Sequence, residues 1–168
     1  MPKRTRIIND PADLVPLFQV FGNDIHKRVF NELSVNWRTK EELAGLIGGD
    51  TRKSLEILQK GGLIESKWRM PELGKTPDEE FHTSYSSVQV NFQCGLDDLS
   101  DLIVIAFSNE EEFRDIIEKI QKEIKKENAS MMGLCKALNQ SPSFIRGLAK
   151  MSSKLTVKGQ RLELAGER

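Results

Sequence analysis

The stretch RTKEELAGLIGGDTRKSLEILQKGGLIESKWR, from Arg38 to Arg69, constrains the chain more than any other. Thr39 followed three residues later by Glu42 has the pattern of a capping box, which opens a short helix through Leu43, Leu46 and Ile47. Gly48 and Gly49 stop it. Asp50 or Thr51 then caps a second helix, with Leu55 and Leu58 inward, Ile57 at the border and Gly61 at its end. Arg52, Lys53, Glu56, Gln59 and Lys60 make its outward face. Leu63 to Arg69 alternates as a strand does, so the segment has the layout of a helix-turn-helix with a strand directly behind it.

The flanks extend this pattern. In DPADLVPLFQVFG, Asp10 is an N-cap with Pro11 at the first helical position, and Leu14, Leu17, Phe18 and Phe21 follow at helical spacing. NDIHKRVFNELS places Ile25, Val29, Phe30 and Leu33 on one helical face. YSSVQVNFQC carries Val88, Val90 and Phe92 at period two and is the expected partner of the strand at 63–69. Helix, helix, helix, hairpin is the order of a winged helix, a mainly α fold with small β-hairpin wings. Its second short helix is angled to enter a DNA major groove about 12 Å wide, while the hairpin reaches the adjacent backbone.

The same grammar returns near the C-terminus. LDDLSDLIVIAF places Leu99, Leu102, Ile103 and Phe107 at helical spacing, although LIVIAF alone is equally a buried strand. Ser108 and Glu111 have capping-box spacing ahead of a long helix with Phe113, Ile116, Ile117, Ile120 and Ile124 on one stripe. SMMGLCKALNQ reads as a short helix with Met132, Leu134, Cys135 and Leu138 as core candidates. Ser141 and Pro142 open another, with Phe144, Ile145 and Leu148 inward and Arg146, Lys150 and Lys154 on an outward stripe. LTVKGQRLEL closes as a hairpin with its turn at 158–160. The expected organisation is two winged-helix units in tandem, residues 1–107 and 108–168. The alternative for the second is a helical extension ending in a hairpin.

Charge sharpens this division. The formal net charge of the 168 residues is zero, yet from Asn128 to Leu162 there is no acidic residue against Lys136, Arg146, Lys150, Lys154, Lys158 and Arg161. Lys3, Arg4 and Arg6 add a basic N-terminal arm. Between Glu72 and Glu118, twelve acidic residues face only Lys75 and Arg114. A polarised chain of this kind suits contact with a polyanion through its basic part. Hydrophobic residues at 38% support real cores, no apolar run reaches a membrane span, and no signal peptide is evident, so a cytoplasmic protein without membrane contact is expected.

TRKSLEILQKGGLIES resembles the recognition helix and first wing strand of the arsenic-repressor (ArsR) type of winged-helix regulators, with Leu55, Leu58, Gly62, Leu63 and Ile64 where that pattern wants them. The resemblance covers about residues 10–107. It implies a homodimeric transcriptional regulator bound to double-stranded DNA, with Thr51, Arg52, Lys53 and Ser54 at the groove-facing start of the helix. Lys60, the strand residues Lys67 and Arg69, and Arg146, Lys150, Lys154 and Lys158 of the basic unit complete the expected DNA-binding set. In this family a terminal helix packs in the dimer interface, which implies Phe113, Ile116, Ile117 and Ile120 there, with Leu14 and Leu17. The other reading of that stripe is a helix covering its own core. The loop MPELGKTPDEEFHTS is long and acidic, which opposes wing contact with phosphates. No cysteine pair lies near Thr39 to Ile47, so neither metal sensing nor any cofactor is expected, and no residue pattern names an effector.

Catalysis is not expected. His26 and His82 have no serine, cysteine or carboxylate partner at a catalytic spacing, and no glycine pattern makes a phosphate cradle. The competing use of the same fold is a tandem winged-helix module for protein interaction, with Trp37 and Trp68 as anchors.

Overall fold

The computed structural model describes residues 4–166, which form two compact units: the segment up to Ile8 with Gln19–Asn91, and Asn9–Phe18 with the chain from Phe92 onward. Lys3 of the expected basic arm lies outside the described residues.

In the first unit, β1 (Thr5–Ile8) leads the chain, and α1 (Leu14–Phe21) spans the passage between the units. Asn23 caps α2 (Asp24–Val35) by accepting from the backbone N–H groups of Ile25 and His26, and the helix buries His26, Val29 and Leu33. The short strand β2 (Arg38–Thr39) runs into α3 (Lys40–Ile47), whose capping box between Thr39 and Glu42 is fully formed. Gly48 and Gly49 take φ of +71° and +76°, a left-handed pair that few other residues tolerate, and so turn the chain tightly into α4 (Thr51–Lys60). Asp50 is the cap of α4.

The wing that follows differs from the expected one. β3 (Ile64–Arg69) pairs antiparallel with β4 (Asp78–Thr83), Ile64 opposite Thr83 and Arg69 opposite Asp78, and β2 adds to the far edge of β4. The segment expected as the partner forms β5 (Ser87–Val90), which instead lies parallel to β1. The acidic run DEEFHT hid the strand. Its Glu80, Phe81 and His82 are all buried, and the carboxylate among them is tolerated because Arg69 and Lys67 face it. The order of this unit, helix, strand, helix, helix, hairpin, is winged-helix-like.

The second unit begins with a 3-10 turn (Pro11–Asp13) capped by Asp10, and continues with α5 (Leu96–Phe107). The expected boundary after residue 107 shifts accordingly, because Leu102 and Ile105 of α5 are fully buried in one core with Ala12 and Val15. Asn109 and Glu112, one residue beyond the expected pair, form the capping box of the turn Glu110–Phe113 that enters α6 (Arg114–Lys125). α7 (Met131–Leu138) and α8 (Pro142–Met151) are capped by Ser130 and Ser141, and Asn139 in the left-handed region ends α7. β6 (Leu155–Lys158) and β7 (Arg161–Leu164) close the hairpin. Ser130 bridges Arg161 of β7 just ahead of α7, the place that β2 holds beside β4 ahead of α3.

The stripe of α6 is inward. Ile117 and Ile120 are buried, and Phe113 and Ile116 pack half-buried against the same core, so the four residues expected in a dimer interface serve their own unit. Met131, not Met132, is the buried methionine of α7. No helix among the described residues is long and apolar enough to cross a membrane.

α8 is buried on more than one side, with Ile145, Gly147, Leu148 and Ala149 all enclosed. A Cβ at Gly147 would stand 2.7 Å from Leu102 Cδ2 and 3.2 Å from Ile105 Cδ1. Gly147→Leu is therefore expected to lower stability by about 1–3 kcal/mol, read from denaturant unfolding. An unchanged midpoint would mean that α5 does not pack there.

Candidate nucleic-acid interface

α4 is two-sided. Thr51, Ser54, Leu55 and Leu58 face inward, whereas Arg52, Lys53, Glu56 and Gln59 are exposed. The Arg52 side chain is 85% exposed and reaches Glu56 at 3.3 Å, a contact that water competes with strongly. Lys60 is half-buried. Thr51 and Ser54, expected to face the groove, are thus corrected to packing positions. Both are polar side chains at a helix start, but Ser54 has a buried partner: its Oγ lies 2.6 Å from Nδ1 of His26 on α2. Burial holds the His26 pKa below its ordinary value, Lys53 adds to that, and Asp50 opposes it. A neutral imidazole therefore pins α4 to α2.

The base of the wing is fixed by one guanidinium. Arg69 donates through Nε to Glu80 at 2.6 Å and through Nη1 and Nη2 to the two carboxylate oxygens of Glu42 at 2.7 and 3.0 Å. Glu42 also accepts from the Thr39 backbone N–H at 2.9 Å as half of the capping box. Hydrogen bonds from Arg69, then from Thr39, bring its carboxyl pKa down to about 2. Lys67 lies 3.5 Å from Glu80 and 4.0 Å from the centre of the Trp37 ring, which in turn stacks on His82. Arg69 is thus committed to two carboxylates, while Lys67 meets Glu80 and Trp37 from a half-exposed position. Beyond them the wing exposes Trp68, Met70 and Leu73 and pairs Glu72 with Lys75.

In the second unit two cations of the expected basic stripe, Arg146 and Lys150, are held in largely buried ion pairs, whereas Lys158 makes only an exposed one. Arg146 donates to Asp10 at 2.6 Å and to Gln160 at 2.7 Å, Lys150 lies 3.0 Å from Asp13, and Lys158 lies 3.3 Å from Glu163. Lys154 stands exposed. Asp10 and Asp13 were not legible as partners because they come from far outside the acid-free segment. Nor was the Arg69 cluster legible, whose only local signal was the capping box.

The sequence profile of the ArsR transcriptional regulator family matches residues 8–166. No curated protein sequence matches the chain.

Because Glu42 is held ionised, its contribution to stability is present above its ordinary pKa of 4.5 and is lost as the pH falls to about 2. The unfolding midpoints of the parent and Glu42→Gln are expected to be well separated at neutral pH and to converge on acidification towards pH 2. A separation independent of pH would rule out the ionised cluster.

Proposed function

Because the chain belongs to the ArsR family of transcriptional regulators, we propose that it binds double-stranded DNA in the cytoplasm, with α4 in the major groove and Arg52 and Lys53 as its leading contacts. The observation that carries this reading is the exposed cationic start of α4 on a helix whose other side is sealed by His26, Leu55 and Leu58. A side chain reading a base edge contributes about 1–3 kcal/mol of discrimination, and one neutralising a phosphate sets the salt dependence. The tandem reading is supported by the repeated order of helix, bridge or short strand, helix, helix and hairpin. The protein-interaction alternative finds support in the wing, where Trp68, Met70 and Leu73 are exposed beside the acidic Glu72.

A homodimer belongs to the same proposal, with a different face from the α6 stripe. α5 exposes Leu96, Ile103, Val104 and Phe107 while burying Leu102 and Ile105, so it is apolar on both sides. An exposed apolar helix face suits a self-complementary contact between two copies, with the half-buried Leu14 and Leu17 of α1 remaining candidates beside it.

Replacing Arg52 and Lys53 together by glutamine should reduce the magnitude of the slope of log affinity against log salt by nearly two, with little change in the unfolding midpoint. An unchanged slope would remove α4 from the interface. For the dimer, Val104→Glu should give a folded monomer in sedimentation analysis. A dimer that persists would place the contact elsewhere.

A further inference from the structure

α7 and α8 have the layout of a helix-turn-helix, and α8 stands where a recognition helix would stand. Its surroundings differ entirely from those of α4. The two cations one turn apart on α8, Arg146 and Lys150, each meet a carboxylate from the 10–13 segment of the same unit, at 2.6 and 3.0 Å. Their side chains are only 19% and 23% exposed. Asp10 is bound twice, since its other oxygen caps the 3-10 turn at Ala12, 2.9 Å away. Between the two cations, Gly147 lets Leu102, Ile105 and Val15 come to van der Waals distance of the α8 backbone, and Ala149 is fully buried.

We infer that the groove-facing side of α8 is a protein-docking face, filled by the chain's own 10–13 turn and α5, so that α8 holds α5 in place and does not read DNA. Two carboxylates satisfy the cations that phosphates would otherwise neutralise, and a small residue between them admits an apolar helix in place of a groove edge. A duplex could reach this face only by displacing both the ion pairs and a buried core, whereas the cations of α4 need shed only water and one exposed glutamate.

The test uses the full chain and a random-sequence duplex. Arg146→Gln with Lys150→Gln should leave the salt slope within about half a unit of the parent while lowering the unfolding temperature. A slope smaller by about two would show that α8 touches DNA and would overturn the inference. This first measurement rests on the proposed DNA binding by α4. If the parent does not bind DNA, that proposal fails alone, and a thermal-unfolding cycle of Asp10→Asn, Arg146→Gln and both together decides the docking face. A double variant that loses clearly less than the sum of the single losses supports the docked turn, and strict additivity overturns it.

Discussion

The bidentate hold of Glu42 on Arg69 is the contact on which the first unit turns. One carboxylate caps α3 through Thr39 and grips the last residue of β3, and the same guanidinium satisfies the buried Glu80 of β4. The start of the helix-turn-helix and both strands of the wing therefore share one charged cluster. Removal of any member leaves another charge without its partner in a half-buried site, which costs more than the loss of one surface ion pair. With the wing fixed in this way and α4 pinned to α2 through His26 and Ser54, the open side of α4 is set by elimination, as Arg52, Lys53, Glu56 and Gln59.

The two units apply the same local grammar to opposite ends. α4 and α8 each begin at a side-chain cap after a tight turn, and each leads into a hairpin. α4 keeps charged residues on its outer side and leaves them to solvent. α8 puts glycine and alanine between its cations, and those small residues bring α5 and the 10–13 turn against it. Burial of this kind stabilises the second unit through packing and leaves Arg146 and Lys150 little to offer a polyanion.

What could be read from the sequence was local. Capping residues, the glycine pair at 48–49, the stripe of α6 and the hairpin at 155–164 are set by neighbours within a few positions, and all appear as expected within a residue or so. The partner of β3 was not legible, because three acids in DEEFHT mask a strand whose buried carboxylate needs Arg69. Two partners within the basic stripe were illegible for a related reason. A charge count over 128–162 sees Arg146 and Lys150 but not Asp10 and Asp13, and Asp10 lies 136 residues from Arg146. Thr51 and Ser54 were not legible as inward because a polar side chain at a helix start looks outward; both are buried, and Ser54 meets His26. Gly147 carried no sequence signal, because its close approach to Leu102 and Ile105 depends on a helix about forty residues away.

DNA binding through α4 requires cationic side chains to meet phosphates, and the direct measurement is the affinity of the unmodified chain for duplex DNA across a series of salt concentrations. Each phosphate contact contributes about −0.9 to the slope of log affinity against log salt. With Arg52 and Lys53 engaged, the slope should be about −2 or steeper. Binding that is absent, or indifferent to salt, would contradict DNA reading by α4 and leave the fold as a protein-interaction module.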